Sequence, residues 1–482
     1  MIVDFILLKL KIHILGSLKM QFKVKHLIIA IIVILVVVVG AMSWHQHSHF
    51  NRNTTVNGVA VGGMTVDQAY QKVKATSRAN DVYLNGKLIY NGEATGSGIS
   101  SADKSKFQAA QKEQRTFFPS GKKQNVTVTP SNVDNDQTAA MKQAVNAEAA
   151  KLNAGRRAPV DAYAVLKNGK VSTVSAKKGN QYDIKNLMKQ FNDERANGTI
   201  RLTAHYTQPL TSDSKVVQDE KSKLQTLAKR KVTYQVEKQN YKFNANEVIT
   251  KATYQNGKYA FDTSAVNNEI AKINKKQATL GRSFKFKTHS GKEITTNNKG
   301  SYGWKISDQR AGQSLANAMA QNKKTIDAKN DIYGIGYNKR GTGYGVTSND
   351  GIGNTYVELS LADQHVWFYK DGKCVFDADV VTGSNTPGNR TPKGVWYIMY
   401  QQSPATLRGL NDDGSKYSSP VQYWSPFTDT GCGFHDASWR NNWSKTEYLT
   451  TTGGSHGCAN MHPSDAGTAY HDMEINEPVV IY

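Results

Sequence analysis

The chain contains little cysteine for its length. Its 482 residues include Cys374, Cys432 and Cys458, and no two of them form a Cys-x-x-Cys pair. Because the number of thiols is odd, at least one has no intramolecular partner, which argues against a disulfide framework. A zinc site needs about three or four protein ligands, and no cysteine spacing here supplies them. We therefore predict no metal site.

Acidic residues are also scarce. There are 39 of them against 61 lysines and arginines, which gives a formal net charge of +22. A basic excess favours an anionic partner. Zinc-finger spacing, RNA-binding aromatic motifs and a basic helix are all absent from the sequence, and the charge is spread over the whole chain. We therefore expect a solvated basic surface or attraction to an anionic polymer, and no nucleic-acid partner.

Charge is missing altogether from residues 27–44, which read LIIAIIVILVVVVGAMSW. Eighteen apolar residues are enough to span a bilayer with little tilt. Lys19, Lys23 and Lys25 precede this run and predict an N-terminus inside the cell. A cleaved signal peptide is the alternative, but the run is long and no Ala-x-Ala site follows. We predict a cytoplasmic segment over 1–26 and a transmembrane signal anchor over 27–44, with Met20 as an alternative start.

Two ten-residue strings in the middle of the chain nearly coincide. AVNAEAAKLN begins at Ala144 and AVNNEIAKIN at Ala265, an offset of 121 residues. Each is followed by a hairpin signal, Asn168-Gly169 or Ser290-Gly291, and then by a second helical pattern. The repeat predicts two α+β domains. We place them at 53–210 and 219–345.

Candidate catalytic residues lie near the C-terminus. Ser455-His456-Gly457-Cys458-Ala459-Asn460 offers a thiol beside an imidazole and a glycine, and His435 lies fewer than two dozen residues upstream. A cysteine thiolate is a nucleophile, and an imidazole can take the proton of the thiol. Cys458 with His435 is therefore the candidate pair for acyl transfer. Cys374 is expected to pack as a small hydrophobe, and Cys432 as an inert thiol, a second thiol or a partner of Cys458.

Residues 352–482 alternate apolar and polar positions between tight turns, which predicts a mostly β domain. Together with the motifs around His435 and Cys458, this region resembles the catalytic domain of the L,D-transpeptidases, the YkuD-like enzymes that cross-link peptidoglycan. The fold class that the resemblance implies is multidomain: a YkuD-like β-sandwich at the C-terminus, two α+β repeat domains before it, and one N-terminal transmembrane helix. Tandem repeats of this kind resemble the proposed peptidoglycan-binding domains of anchored family members. They serve either to bind the wall or to space the catalytic head.

The resemblance also implies roles for site residues. Cys458 is the nucleophile and His435 the base, and the backbone carbonyl of Ser455 orients the imidazole. The backbone N–H groups of His456, Gly457 and Cys458 are candidate oxyanion donors, while Asn460 is expected to fix the loop. Residues expected to shape the substrate cleft are Tyr423, Trp424, Trp439 and Arg440. Residues 401–419 lack periodicity and predict a long loop that covers the cleft.

The implied reaction attacks a tetrapeptide stem before its terminal D-Ala and passes the acyl group to a neighbouring stem, giving 3→3 cross-links without a metal or cofactor. Water or a protein amine as acceptor would instead make a carboxypeptidase or an anchoring enzyme. A non-catalytic wall-binding protein is the alternative of another class. Expected partners are peptidoglycan stem peptides, the membrane and anionic wall polymers, with the catalytic domain outside the cell membrane. The third stem residue and the oligomeric state stay open.

Overall fold

The first helix of the chain carries the long apolar run. The computed structural model describes the backbone of residues 2–482 and the side chains of 6–8, 10 and 22–482. Helix α1 spans Ile2–Ser48, so the predicted cytoplasmic segment 1–26 falls mostly outside the described side chains. Within α1, Phe22–Ser48 is long and apolar enough to cross a membrane, a property that a signal sequence shares. Its aliphatic side chains are exposed, Val36 by 65%, which is unfavourable in water.

The chain divides into two compact units. The first comprises residues 1–161 and 176–210, and the second 162–175 and 211–482. The elements up to residue 210 are β1 Thr54–Val56, β2 Val59–Ala60, α2 Val66–Lys74, β3 Ser77–Arg78, β4 Asp81–Leu84, β5 Lys87–Tyr90, β6 Thr95–Gly96, α3 Lys104–Gln114, β7 Gln124–Val126, α4 Asn135–Asn153, β8 Tyr163–Lys167, β9 Lys170–Val174, α5 Ile184–Glu194 and β10 Thr199–Leu202.

Small sheets and two cores make up the first unit. The strand orders are β2-β1-β7, β10-β4-β5 and β3-β6. Helix α2 begins at a capping box in which Thr65 and Gln68 satisfy each other's backbone N–H groups, which fixes where the helix starts. Its Tyr70 meets Phe107 of α3 edge to face at 5.8 Å in one core. Phe191 of α5 lies at the centre of the other.

The second unit continues with α6 Lys215–Ala228, β11 Lys231–Val236, β12 Gln239–Asn244, α7 Ala245–Val248, β13 Lys251–Gln255, β14 Lys258–Asp262, α8 Asn267–Gln277, β15 Lys285–Lys287, β16 Glu293–Thr295, β17 Lys305–Ile306, α9 Asp308–Ala320, β18 Thr325–Asp327 and β19 Ile332–Tyr333. From residue 356 onward it has β20 Tyr356–Ser360, β21 His365–Lys370, β22 Lys373–Val381, β23 Gly394–Tyr397, β24 Ala405–Leu410, β25 Lys416–Val421, β26 Trp424–Pro426, β27 Gly433–Asp436, β28 Ala459–Met461, α10 Pro463–Asp472 and β29 Pro478–Ile481.

The repeated strings end at an asparagine with the same structural role in both copies. Asn153 donates to the carbonyl of Tyr182 and accepts from its backbone N–H. Asn274 does the same with Ile306. Each asparagine therefore ties the end of one helix to the segment that leads into the next, α5 or α9. The repeat is confirmed as a helix, a hairpin and a second helix in both copies.

Each repeat hairpin packs against the module that follows it in the chain. Hairpin β8-β9 joins β13 in a sheet of order β14-β13-β8-β9, with Leu166 opposite Ala252. Hairpin β15-β16 places Phe286 against Tyr356 of β20, with ring centroids 5.3 Å apart. The domain limits 53–210 and 219–345 stay a prediction, and the structure adds that residues 162–175 pack within the second unit.

The C-terminal region is built on eight strands in the order β23-β29-β20-β21-β22-β28-β27-β26. Strand β22 pairs with β21 along most of its length, and its last residues pair with β28, so it joins two halves of the sheet. Both halves and α10 enclose one apolar core that includes Phe368 and Phe434. The multidomain, mostly β fold class is confirmed. Cys374 is exposed, contrary to expectation, because β22 enters the core only near Ala378.

The segment predicted as an irregular loop, 401–419, forms a hairpin of β24 and β25. Its strands alternate exposed and less exposed residues, and Asn411 closes the turn by donating to Ser415. The apolar positions are too few for the period of two to stand out in the sequence. We call residues 405–421 the lid hairpin.

One prediction concerns Glu358 in β20, whose side chain is fully buried. Its Oε1 accepts from the His289 backbone and the Tyr482 hydroxyl, while Oε2 has no partner. Burial raises the pKa of this carboxyl, so the folded protein holds the proton at a pH where the unfolded chain has lost it. Stability is therefore lost as the pH rises from about 4.3 through the folded-state pKa.

Glu358→Gln removes the ionisable group and should flatten this dependence. The difference in free energy of unfolding between variant and wild type should shift in favour of the variant by on the order of 1 kcal/mol between pH 5 and a pH above neutral. Thermal unfolding of both proteins at both pH values measures it. Glu293→Gln, on exposed β16, is the matched control. Equal pH slopes in wild type and Glu358→Gln would contradict the assignment.

Candidate active site

Parallel pairing of β27 and β28 brings the candidate residues together. His435 is in register with Asn460, and Phe434 with Ala459. Side chains two positions apart on a strand share a face, so Cys458, which directly precedes β28, lies on the same face as Asn460 and His435. All three line one cavity of about 190 Å³. The cavity is lined by Leu407, Asn411, Tyr417, Ser419, His435, Trp439, Arg440, Gly454, Ser455, His456, Cys458 and Asn460.

The imidazole of His435 is buried, with 4% of the residue exposed. Its Nδ1 lies 2.8 Å from the carbonyl oxygen of Asp436, so Nδ1 carries the hydrogen and Nε2 presents a lone pair. Burial lowers the pKa of His435, the contacts with Asp436 oppose that shift, and the charge of Arg440 adds to it. The ring is therefore neutral at pH 7.

The orienting carbonyl belongs to Asp436, and the prediction that Ser455 supplies it is wrong. The Ser455 carbonyl accepts from the backbone of Ser384. Its hydroxyl donates to the Cys458 carbonyl at 2.6 Å and accepts from the Gly457 N–H at 3.0 Å. Ser455 thus stabilises the fold of the loop that contains Cys458. The Asp436 carboxylate points away and accepts from the Gln422 and Tyr423 backbones at 2.8 Å each.

Cys458 is protonated in the resting structure. Burial raises the pKa of its thiol to about 12, and Cys432 acts in the same direction, while the backbone N–H of Gly433 opposes. Its Sγ lies 3.5 Å from the carbonyl oxygen of Gly431. Although both side chains are described and line the same cavity, no hydrogen bond joins Sγ to the His435 ring. The pair is thus a neutral thiol and a neutral imidazole, not an ion pair.

The loop geometry reduces the number of backbone N–H groups that can serve as oxyanion donors. The Gly457 N–H is already bonded to the Ser455 hydroxyl, so it is not free to donate as predicted. Among the described residues, no acceptor is found for the backbone N–H of His456 or Cys458, and both remain candidates. The His456 ring stacks on Tyr417 of the lid hairpin at 5.7 Å, and its Nε2 is 3.7 Å from Asp412.

The predicted aromatic residues have different positions. Trp439 lies over the His435 ring at 5.7 Å and lines the cavity. Trp424 pairs with His435 across β26 and β27 and packs in the small core beneath the lid hairpin. Tyr423 faces away, against Tyr470 at 5.2 Å, because neighbouring residues on a strand point to opposite faces. Its predicted place in the cleft is therefore wrong.

The lid residues were missed by sequence reasoning. Leu407, Asn411, Tyr417 and Ser419 line the cavity, and Asn389 donates to Asp412 at the hairpin tip at 2.9 Å. Their only signal was position in a segment expected to cover the cleft, since no motif marks them. Within the described side chains, no group of three potential metal ligands is found.

The fold and the cavity define a β-rich catalytic domain in which a cysteine and a histidine meet beneath a hairpin. Residues 354–481 match the YkuD family model, described as the L,D-transpeptidase catalytic domain. This C-terminal domain of the chain therefore belongs to the YkuD family of L,D-transpeptidase catalytic domains. Enzymes of this family act on peptidoglycan stem peptides.

Solved structures similar to the chain include other L,D-transpeptidases. A mutant L,D-transpeptidase from Enterococcus faecium is 29% identical, covers 54% of this chain and 98% of its own, with a TM-score of 0.41. The catalytic domain from E. faecium is 43% identical over 27% of this chain and 96% of its own, with a TM-score of 0.24. L,D-transpeptidase 3 from Mycobacterium tuberculosis is 20% identical over 27% of this chain and 60% of its own, with a TM-score of 0.23. A comparison with curated protein sequences finds no match.

Gly457 provides a test of how tightly the nucleophile loop is packed. Its φ is +120°, and a Cβ there would lie 2.7 Å from the Sγ of Cys432. Gly457→Ala should therefore destabilise the catalytic domain by about 1–3 kcal/mol, measured by thermal unfolding.

The double variant Cys432→Ala/Gly457→Ala separates the two causes. Removing the sulfur relieves the clash but leaves the backbone strain, so part of the loss should be recovered, with Cys432→Ala alone as control. If the double variant is as unstable as the sum of the single ones, Cys432 does not pack on Gly457.

Proposed function

We propose that this chain is a cell-wall L,D-transpeptidase that forms 3→3 peptidoglycan cross-links through a thioacyl-enzyme on Cys458. The observation that carries the proposal is the shared face of β27 and β28, which gives His435 and Cys458 one cavity. The family of the catalytic domain supports the reaction class. Cysteine and histidine are the groups in the cavity suited to nucleophilic acyl transfer.

His435 acts as a general base during attack. Because the thiol and the ring are both neutral at rest, the thiol proton passes to Nε2 as sulfur bonds to the carbonyl carbon of the donor stem. Backbone N–H groups of His456 and Cys458 stabilise the oxyanion. Nε2–H then gives the proton to the leaving D-Ala amine, and the C–N bond breaks. The acceptor amine reverses these proton transfers and releases the cross-linked product.

Loss of either residue tests the mechanism. Cys458→Ala should form no carbapenem adduct by intact-mass spectrometry. His435→Gln should acylate about 10²–10⁴-fold more slowly, since it loses the general base. Trp367→Phe, on β21 and outside the cavity lining, is the control. An adduct of unchanged rate in His435→Gln would overturn the role of the ring, and no adduct on folded wild type would favour the non-catalytic wall-binding alternative.

The acceptor distinguishes the reactions within acyl transfer. Muropeptides from a deletion strain and a complemented strain, separated by mass spectrometry, should differ in 3→3 dimers. A difference in tripeptide stems alone would favour the carboxypeptidase alternative, and loss of wall-linked protein would favour the anchoring one. The same spectra identify the third stem residue.

We also propose a location for this activity, based on the N-terminal helix. An uncleaved anchor at 27–44, with residues 1–26 in the cytoplasm, would hold the catalytic domain outside the membrane. The exposed apolar side chains of α1 support insertion in a membrane. The lysines before the span support the orientation.

The second repeat has a groove that favours wall binding over a pure spacer. A cavity of about 780 Å³ lies between α8 and the start of α9. Apolar and polar residues both line it, including Ile270, Ile306 and Asp308. Its basic lining residues are Lys275, Arg282, Lys305 and Arg310. A groove whose charged lining is mainly basic suits a short peptide with free carboxylates, which describes a stem peptide. We propose that this groove binds stem peptides.

Charge reversal of the rim tests the groove. In a Cys458→Ala background that prevents covalent capture, Lys305→Glu/Arg310→Glu should weaken binding to purified peptidoglycan about tenfold or more. Lys251→Glu/Lys258→Glu, on exposed ends of β13 and β14, makes the same charge change as control. Equal weakening by both pairs would indicate general electrostatics, and none by either would leave the repeats as spacers.

A further inference from the structure

Arg440 contacts the general base through one intermediate side chain. Its Nη1 donates to the Gly453 carbonyl at 2.5 Å, which fixes the guanidinium within its own loop. Nη2 and Nε then lie 3.0 and 3.2 Å from the Asn460 side-chain amide. A guanidinium has only donors, so the amide oxygen must be the atom that faces it. The amide nitrogen consequently faces the Nε2 of His435 at 3.1 Å.

These contacts leave the two ring nitrogens of His435 in defined states. Nδ1–H donates to the Asp436 carbonyl, and the Nε2 lone pair accepts from Asn460. If Nε2 were protonated, its N–H would point at the N–H of Asn460, and two donors would face each other. Asn460 cannot turn over to relieve this, because its oxygen would lose two hydrogen bonds to Arg440.

We propose that Arg440 is a positioning residue that, by clamping the Asn460 amide, holds His435 as the neutral Nδ1–H tautomer and makes its protonated form a readier proton donor. The kinetic part of this inference rests on the proposed acyl transfer. The thiol proton, once on Nε2, meets an unfavourable donor and the nearby guanidinium charge. The proton therefore moves readily from Nε2 to the nitrogen of the breaking C–N bond, and D-Ala leaves as a neutral amine. The clamp thus favours proton transfer to the leaving amine at the expense of a weaker base during the attack of the thiol.

Other charged groups near His435 do not replace this effect. The Asp436 carboxylate on its own strand is used by the Gln422 and Tyr423 amides. Cys458 is neutral. His456 and Tyr417 pair with each other across the lid. Strand β26 contributes Trp424, which does not titrate. The charge of Glu447 interacts with Arg440 and raises the pKa of its guanidinium, against the effect of burial. Arg440 is thus the cation whose removal changes the environment of the ring.

The direct test is the ¹⁵N shift of His435 in the full chain, titrated by NMR. Arg440→Met removes the clamp and the charge, so the ring should protonate at a pH higher by roughly one unit. The acid limb of kcat/KM should move upward by the same amount. Arg440→Lys keeps the charge without the paired contact, so its limb should move upward by less than that of Arg440→Met, while kcat falls between about 10- and 100-fold.

Asn460→Asp gives a result that a merely structural role would not. Its carboxylate accepts from a protonated ring, so it should raise the titration pH further than Arg440→Met does. Arg408→Met, a similar charge loss on the exposed lid strand, is the control and should leave the ring unchanged. An unshifted His435 titration in folded Arg440→Met and Asn460→Asp would overturn the proposal. A shift without cysteine acylation would keep the clamp and reject the proposed function.

Discussion

The site depends on the parallel pairing of two short strands. Strand β27 brings His435 and β28 brings Asn460 into register, and the residue two positions before Asn460 is the candidate nucleophile. A slip of one residue would turn His435 to the opposite face, where Asp436 now binds backbone amides. The pairing is enforced by burial, because every residue of both strands is buried. Core packing thus sets the geometry of the chemistry.

Burial has a second consequence, which is electrostatic. The same enclosure that aligns the two side chains disfavours charge on either one, raising the pKa of the thiol and lowering that of the imidazole. A buried charge without a partner is costly, so burial favours the neutral form of both groups. The lid hairpin and the aromatic ring of Trp439 complete this enclosure.

The repeats show how modules are linked within the second unit. Hairpin β15-β16 packs its phenylalanines into a core shared with β20 and β23, and Glu358 binds the backbone of His289 beside it. Hairpin β8-β9 lies in the sheet of the module that contains β13. A hairpin placed in the following module gives a stiffer connection than a flexible linker of equal length.

Much of the local structure and the reactive pair could be predicted from the sequence. Asn168-Gly169 and Asp371-Gly372 adopt positive φ and close hairpins, as their lack of steric hindrance to that conformation predicts. Helices α5 and α9 follow from their periodicity, and Cys458 with His435 from their motif. The lid hairpin was predicted only as a loop, since few of its residues bury apolar surface. Cys374 was predicted to be buried because it lies in an alternating pattern. Such a pattern indicates a strand but does not show which part of the strand enters the core.

The amino-acid order by itself determined the turns, the amphipathic elements and the apolar helix, because these depend on neighbours along the chain. It also marked Cys458 and His435 as the candidate pair through their motifs. Only the tertiary structure decided which carbonyl orients His435, that Tyr423 faces away from the cavity, and that Arg440 reaches the ring through Asn460. Those contacts join residues on different strands and loops. Their geometry depends on register and packing, which no local pattern encodes.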